Sequence, residues 1–543
     1  MHIPNAILFW SDIASEAHRR DYTFDDALGD DELGTPMDRQ NISPNVGGPT
    51  RVSRAFAIIH LAMYDALLMS NPSEFKGNLP GALQNKVQPY QTGLPTPTGP
   101  LSREAAVAGA AATTIQHIFG GNFVHDALNT FRVLLFRAGH SHDDIEAGLT
   151  YGSDIGRLLL DLRSNDASEH LDVTYREFPI NGVFRRDPFD QRQGVLGPNW
   201  GQVTPFGGYA PSDVTFVGPL EALGGPCKPV KEERLGEYLG APGWLDDLRL
   251  VREKGGAPNV AGMTRTPEET LIGIFWAYDG VRDIGVPPRL YNQCLAAIAE
   301  DSKVDLNVEE CALLFGLAHL GMADAGIAAW HEKYTYQVAR PVTGVREADI
   351  GFGPDAEHNA ASPPTFAAAE LTLPIGNATY ANAAQWLQKQ PSNPSVSESN
   401  SFWAPLGAPQ TNTRTGNTDK GVFSRSPGFP AYPSGHATFG SACFTLASEV
   451  LRVLGKDPNT EFTFISDELD GTHRDPDGSI RIEHRRRMTI AQAIHENAWS
   501  RIYLGVHWRM DAVEGVRLGL ELAEKIKLHG KGPASIFNAA PIA

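Results

Sequence analysis

The chain has 543 residues, 41% of them hydrophobic and 20% charged, an ordinary globular composition with length enough for a large core or several domains. Its formal net charge of −18 argues against a general nucleic-acid binder, yet a small cationic pocket would stand out against that background. Four cysteines, Cys227, Cys294, Cys311 and Cys443, form no CxxC pair and read as buried structural thiols rather than a disulfide framework.

In chain order, the N-terminal stretch MHIPNAILFWSDIASEAHRR lacks the basic and long apolar regions of a signal peptide. No segment is expected to reach the ~18 apolar residues of a membrane span, so the reading is a soluble protein of unassigned compartment. Helical spacing of apolar residues appears at Val52–Met69, Arg103–Phe119 and Ala127–Gly139. It returns at Glu269–Gly280, Val308–Tyr334, His436–Gly455, Thr489–Leu504 and Asp511–Leu528. Several of these are apolar almost all round, as helices inside a bundle are. Irregular tracts interrupt them near Val87–Pro100, from about Pro179 to Val230, and from Gln390 to Pro433. Loops this long are functional or disordered, and the third, which runs into a polar motif, reads as a wall of an active-site channel. The fold class is all-α: a large helical protein with two helical-bundle halves, residues 1–250 and 251–543, and long irregular loops.

Three polar groups do not suit buried helices. In WHEKYTYQVARP (Trp330–Pro341), Lys333 and Arg340 are seven residues apart, one face of a continuing helix. Pro341 disfavours helix at Arg340 and places it near an end. In AYPSGHATFG (Ala431–Gly440), Ser434 is a helix cap with a hydroxyl to donate, and Gly435 lets an oxyanion approach the backbone. The helix start attracts anions, and His436 sits where it can give or take a proton. In SRIYLGVHWRMD (Ser500–Asp511), Arg501 offers a planar charged fork, Gly505 interrupts the helix, and His507 and Asp511 are four apart. A carboxylate on one imidazole nitrogen leaves the other free as nucleophile or metal ligand. Taken singly, each group also fits a plainer role: a solvated basic face, a serine cap beside a surface histidine, an incidental histidine in a capped helix. Together they form a kit for one tetrahedral oxyanion.

The joint pattern K-x6-RP, PSGH, SR-x5-H-x3-D resembles the superfamily shared by type 2 phosphatidic-acid-phosphatase-like acid phosphatases and vanadium-dependent haloperoxidases. The flanking stretches Phe275–Gln293, Gly321–Lys333, Ser426–Gly440, Phe464–Gly471 and Glu496–Asp511, with Ile7–Trp10 and Gly47–Ala66, look like fungal vanadium chloroperoxidases. The resemblance is weak at Leu83–Arg103 and across the middle loop. It implies that residues 251–543 are a catalytic helical bundle with vanadate as cofactor. His507 would be the metal ligand, and Lys333, Arg340, Ser434, Gly435 (through its N–H) and Arg501 would hold the oxygens. It further implies that His436 is the catalytic acid/base group and that Asp279 pairs with Arg501. Trp330 and Phe429 would lie near the halide site, with Asp511 supporting His507. Algal bromoperoxidases resemble histidine at the position of Phe429, which leans this chain toward the chloroperoxidase type.

The implied reaction oxidises chloride or bromide with hydrogen peroxide to hypohalous acid, which halogenates a small organic acceptor. The metal acts as a Lewis acid, and no haem, flavin or nicotinamide signature is visible. The alternative is an acid phosphatase in which His507 forms a phosphohistidine and His436 protonates the leaving group. Expected partners are peroxide, halide and the acceptor, with no nucleic acid and no membrane. A homo-oligomer is compatible with the sequence. The charged stretch Asp467–Arg487 lacks EF-hand spacing and reads as a solvated loop, with cation binding left open. His319, His331, His358 and His495 show no zinc spacing and read as structural.

Overall fold

The computed structural model describes residues 4–22, 46–169, 175–178, 180–187, 193–229, 231–258, 260, 262–280, 283–347, 403–408, 426–473 and 479–538. The N-terminal half contributes α1 (Ala6–Asp21), α2 (Pro49–Ser70), α3 (Arg103–Ile118), α4 (Phe123–Arg137), α5 (His142–Leu162) and α6 (Trp244–Lys254). The C-terminal half contributes α7 (Pro267–Phe275), α8 (Pro287–Ala299), α9 (Val308–Tyr336) and α10 (Pro341–Glu347). It closes with α11 (Gly435–Val453), α12 (Ile490–Tyr503) and α13 (Arg509–His529). Short helices and 3-10 turns link them, so the all-α expectation holds.

The centre of the molecule is α9. Its 29 residues carry almost no polar face, and a capping box between Asn307 and Glu310 satisfies its first free N–H groups. A helix apolar all round must be covered all round. Accordingly α2 packs on it from the N-terminal half, and α11 and α13 pack on it from the C-terminal half. The α11 and α13 backbones come close because Gly519 carries no side chain; a Cβ there would collide with Ser441 Oγ.

Three expectations need correction. Two helices, Pro49–Ser70 and Val308–Tyr336, are in fact long and apolar enough to cross a membrane. Their hydropathic stretches are 89% and 100% buried inside the protein, so the apolar composition serves the core. Among the cysteines, Cys294, Cys311 and Cys443 are buried thiols, but Cys227 is exposed, in an irregular tract that no helix covers. The stretch Asp467–Arg487 is not simply a solvated loop. Arg485–Thr489 (β2) pairs antiparallel with Glu461–Ile465 (β1), with Glu461 opposite Thr489. Within it Glu468 and Arg481 form a buried ion pair at 2.6 Å. Asp470 there accepts from the N–H groups of Thr472 and His473, closing its own turn.

Of the histidines read as structural, His319 and His495 are buried, His331 is exposed on α9, and His358 lies outside the described residues. The third irregular tract is described only at 403–408 and from 426 onward. Trp403, fully buried, donates its indole N–H to Arg252 O at 3.1 Å.

Candidate active site

The helix that should have joined Lys333 to Arg340 ends first. Gln337 adopts a left-handed conformation at φ +49° and closes α9. The next residues are held from both sides: Ala339 N–H donates to Gly182 O, and Ala431 N–H donates to Val338 O, each at 2.9 Å. Arg340 therefore reaches the site from a pinned extended linker just before α10, and Lys333 reaches it from the last turn of α9.

Between them runs the extended segment Phe429–Pro433, whose carbonyls point at both cations. Lys333 Nζ donates to Pro430 O and Ala431 O at 2.9 Å and to Pro433 O at 2.5 Å. Those bonds use all the donors of an ammonium, so Lys333 sets the turn before α11 as well as charging the site. Arg340 Nε donates to Phe429 O at 2.8 Å, and Arg340 Nη1 donates to Val506 O at 2.8 Å and His507 Nε2 at 2.9 Å.

The start of α11 faces these groups. Ser434 caps it by accepting from Ala437 N–H, and its own N–H donates to Asp511 O at 2.8 Å. The N–H groups of Gly435 and His436 lie in the first turn, where no helical carbonyl can reach them. On α12, Arg501 donates from Nη2 to both oxygens of Asp279, at 2.8 and 2.6 Å. Asp279 is not on a helix: α7 stops at Phe275, and the following loop carries it. The chain leaves α12 at Tyr503 and turns through Gly505, φ +71°, where a Cβ would strike Gly255 O. That turn delivers His507 ahead of α13.

The tautomer of His507 follows from its partners. Nε2 accepts from Arg340, so the proton is on Nδ1, which donates to Asp511 Oδ2 at 2.8 Å. Asp511 Oδ2 also accepts from Trp508 N–H at 2.9 Å. Burial, and then the charges of Arg340, Lys333 and Arg501, hold His507 well below the ordinary imidazole value, so it is neutral with a lone pair at Nε2. Burial and Arg501 do the same to His436. Its Nε2 lies 3.2 Å from Ala277 O and 3.5 Å from Asp279 Oδ1. Burial also pushes Lys333 down and brings Arg340 to about 9.

The site holds more buried donors than it satisfies. Arg340 Nη2, Arg501 Nε and Arg501 Nη1 are buried without a hydrogen-bond partner. Leaving a buried charged donor unpaired is costly, and an oxyanion beside His507 Nε2 would satisfy these atoms. The donor set, with the α11 N-terminus, fits an oxyanion such as vanadate in charge and in its number of free donors.

The geometry thus brings together the residues assigned to the oxyanion and halide groups. The Trp330 and Phe429 rings touch at a centroid distance of 4.7 Å, tilted by 49°, with Lys333 Nζ 5.2 Å and Arg340 Cζ 4.9 Å from the Phe429 ring. Two helpers were missed. Asn497 Nδ2 and Tyr291 Oη both donate to His436 O, at 2.8 and 3.0 Å, fixing the first turn of α11. A fully buried asparagine four residues before Arg501 was the available signal. The carbonyls that bind Lys333 have no side-chain signature at all. An open surface pocket lined by Pro205, Tyr209, Val214, Phe216 and His331 is separate. Its His331 is two residues from Lys333, about 200° round α9.

Fold and site describe a helical-bundle protein with a buried cluster of cationic donors around His507. Residues 313–531 match the family model of the VCPO second helical-bundle domain. The chain is 29% identical over 565 aligned positions to the vanadium chloroperoxidase of Curvularia inaequalis, covering 94% of this chain and 79% of that protein. In fold it is similar to the first bacterial vanadium-dependent iodoperoxidase, at TM-score 0.59 and 18% identity over 97% of each chain. It is also similar to a holo-type bacterial vanadium-dependent chloroperoxidase, at TM-score 0.53 and 14% identity over 90% of this chain and 95% of that one. In sequence and in fold the chain is thus similar to vanadium-dependent haloperoxidases.

Proposed function

We propose that the protein oxidises chloride or bromide with hydrogen peroxide to hypohalous acid, using vanadate held by His507, and that the acid halogenates a small organic acceptor. The observation that carries this reading is the set of unpaired buried N–H groups on Arg340 and Arg501 beside the lone pair of His507 Nε2. Bound vanadate would supply a Lewis acid that polarises hydrogen peroxide for attack by halide.

The chain's own groups do the rest. Arg340, Arg501, Ser434 and the Gly435 N–H hold negative charge, and Lys333, its donors spent on carbonyls, adds its charge in a buried site where charge counts for more than in water. Asp511 keeps His507 in the tautomer that exposes Nε2. Asp279 orients Arg501 and lies beside His436. With Nε2 of His436 against two acceptors, Nδ1 is the atom left to take a proton from peroxide and return it to the departing oxygen. Trp330 and Phe429 form the apolar wall by which halide approaches, and Phe429 favours the chloride type.

Protein stripped of oxyanion and assayed with peroxide and halide for dye halogenation is expected to gain activity in proportion to added vanadate. No vanadate-dependent turnover, with fast phosphate-ester hydrolysis instead, would replace this reading with the phosphohistidine one, which rests on the shared cradle alone.

A further inference from the structure

The second irregular tract sends one short segment to the aromatic pair. Leu196 O accepts from Trp330 Nε1 at 3.2 Å and from Tyr334 Oη at 2.5 Å. These donors are one turn apart on α9, so a single carbonyl clamps that face. The same residue reaches the other ring's segment, because Leu196 N–H donates to Gly428 O at 2.9 Å, next to Phe429. Two residues earlier the backbones of Gly194 and Gly428 are in contact, and Gln193 Nε2 donates to Ser426 O at 2.6 Å. Gly197 then turns the chain at φ +73°, and a Cβ there would lie 2.6 Å from Trp330 Nε1. Trp330 and Phe429, about a hundred positions apart in the chain, thus hang on one five-residue strap from the N-terminal half.

We propose that residues 193–197 are a positioning strap for halide: the Leu196 carbonyl sets the Trp330 indole against Phe429, and Gly197 leaves room for it. The indole N–H is spent on the strap, so halide meets the ring and not the donor. The inference rests on the haloperoxidase reading for its consequence, but not for its geometry.

Gly197→Ala tests both. The added methyl and the left-handed φ displace the indole, so the near-UV circular dichroism of the variant changes, and that change disappears in a Trp330→Phe background. In the vanadate-loaded protein the bromide KM rises roughly 5- to 10-fold with kcat little altered. Orthovanadate affinity by calorimetry stays as in the wild type. Tyr334→Phe, which removes one hydroxyl and no backbone freedom, moves KM the same way by a smaller factor. Equal Gly197→Ala effects with and without the Trp330 indole would overturn the strap, as would an unchanged bromide KM in an active enzyme. A wild type inert to halide at every vanadate concentration would instead overturn the haloperoxidase reading, and the dichroism pair would still decide the strap.

Discussion

Phe429 sits between two buried cations and a tryptophan, and its effect comes from what it keeps out. Its ring is 5.2 Å from Lys333 Nζ and 4.9 Å from Arg340 Cζ, and we propose that it lines the halide approach with carbon and keeps the field of both cations unscreened. Chloride, harder to oxidise than bromide, depends more on that field. Phe429→His would hydrate the approach, and the bromide-over-chloride ratio of kcat/KM is expected to rise by a factor on the order of ten. An unchanged ratio in steady-state assays with each halide would remove Phe429 from selectivity. Its place beside Trp330 was legible in the sequence because a side chain marks it. The partners of Lys333 were not, since Pro430, Ala431 and Pro433 act only through carbonyls.

At the scale of elements, the helix starts place the chemistry. The first turn of α11 is pinned by Asn497 and Tyr291 on the His436 carbonyl and by Asp511 O on the Ser434 N–H. Asn497→Ala removes the amide from a fully buried place and leaves that carbonyl with one fewer donor. The loss is expected to be about 1–3 kcal/mol, read as a Tm lower by about 1–3 degrees together with weaker orthovanadate binding. A variant that melts as the wild type does would show that the turn holds without it. The helices themselves were legible because their apolar periodicity is long and unbroken. Where reading failed, one backbone angle intervened: α9 stops at Gln337, so Lys333 and Arg340 meet through a turn and not along one helix face. The left-handed residue there is a glutamine, which gives no warning of it. Likewise, the helical spacing of Glu269–Gly280 put Asp279 on a helix that ends four residues earlier.

At the scale of the whole molecule, the N-terminal half is part of the site's support. It supplies α2 against α9, the Gly182 contact that holds the Arg340 linker, and the strap over Trp330. We propose that residues 1–250 and 251–543 are the two helical halves, with α9 as their shared spine. Where they join, His60 of α2 stacks on His319 of α9 at 3.9 Å. Burial lowers His60 from 6.5 to about 3 and pushes His319 well below its ordinary value. Both are neutral in the fold and charge more readily in the unfolded chain, so the junction's stability is full above pH 6.5 and is lost as pH falls toward 3. His60→Phe keeps a ring in the stack and removes the titration. Its stability loss between pH 7.5 and 5 is expected to be smaller than the wild type's by about 2 kcal/mol in urea unfolding. Equal acid sensitivity in both proteins would place the pH dependence elsewhere.

The cradle around His507 is the centre of the account, and calorimetric titration of oxyanion-stripped protein with orthovanadate tests it most directly. The wild type is expected to bind one vanadate per chain, and His507→Ala to lose at least about a hundredfold in affinity, since the metal would have no protein ligand. Tight one-to-one binding retained by His507→Ala would contradict the assignment of the cradle.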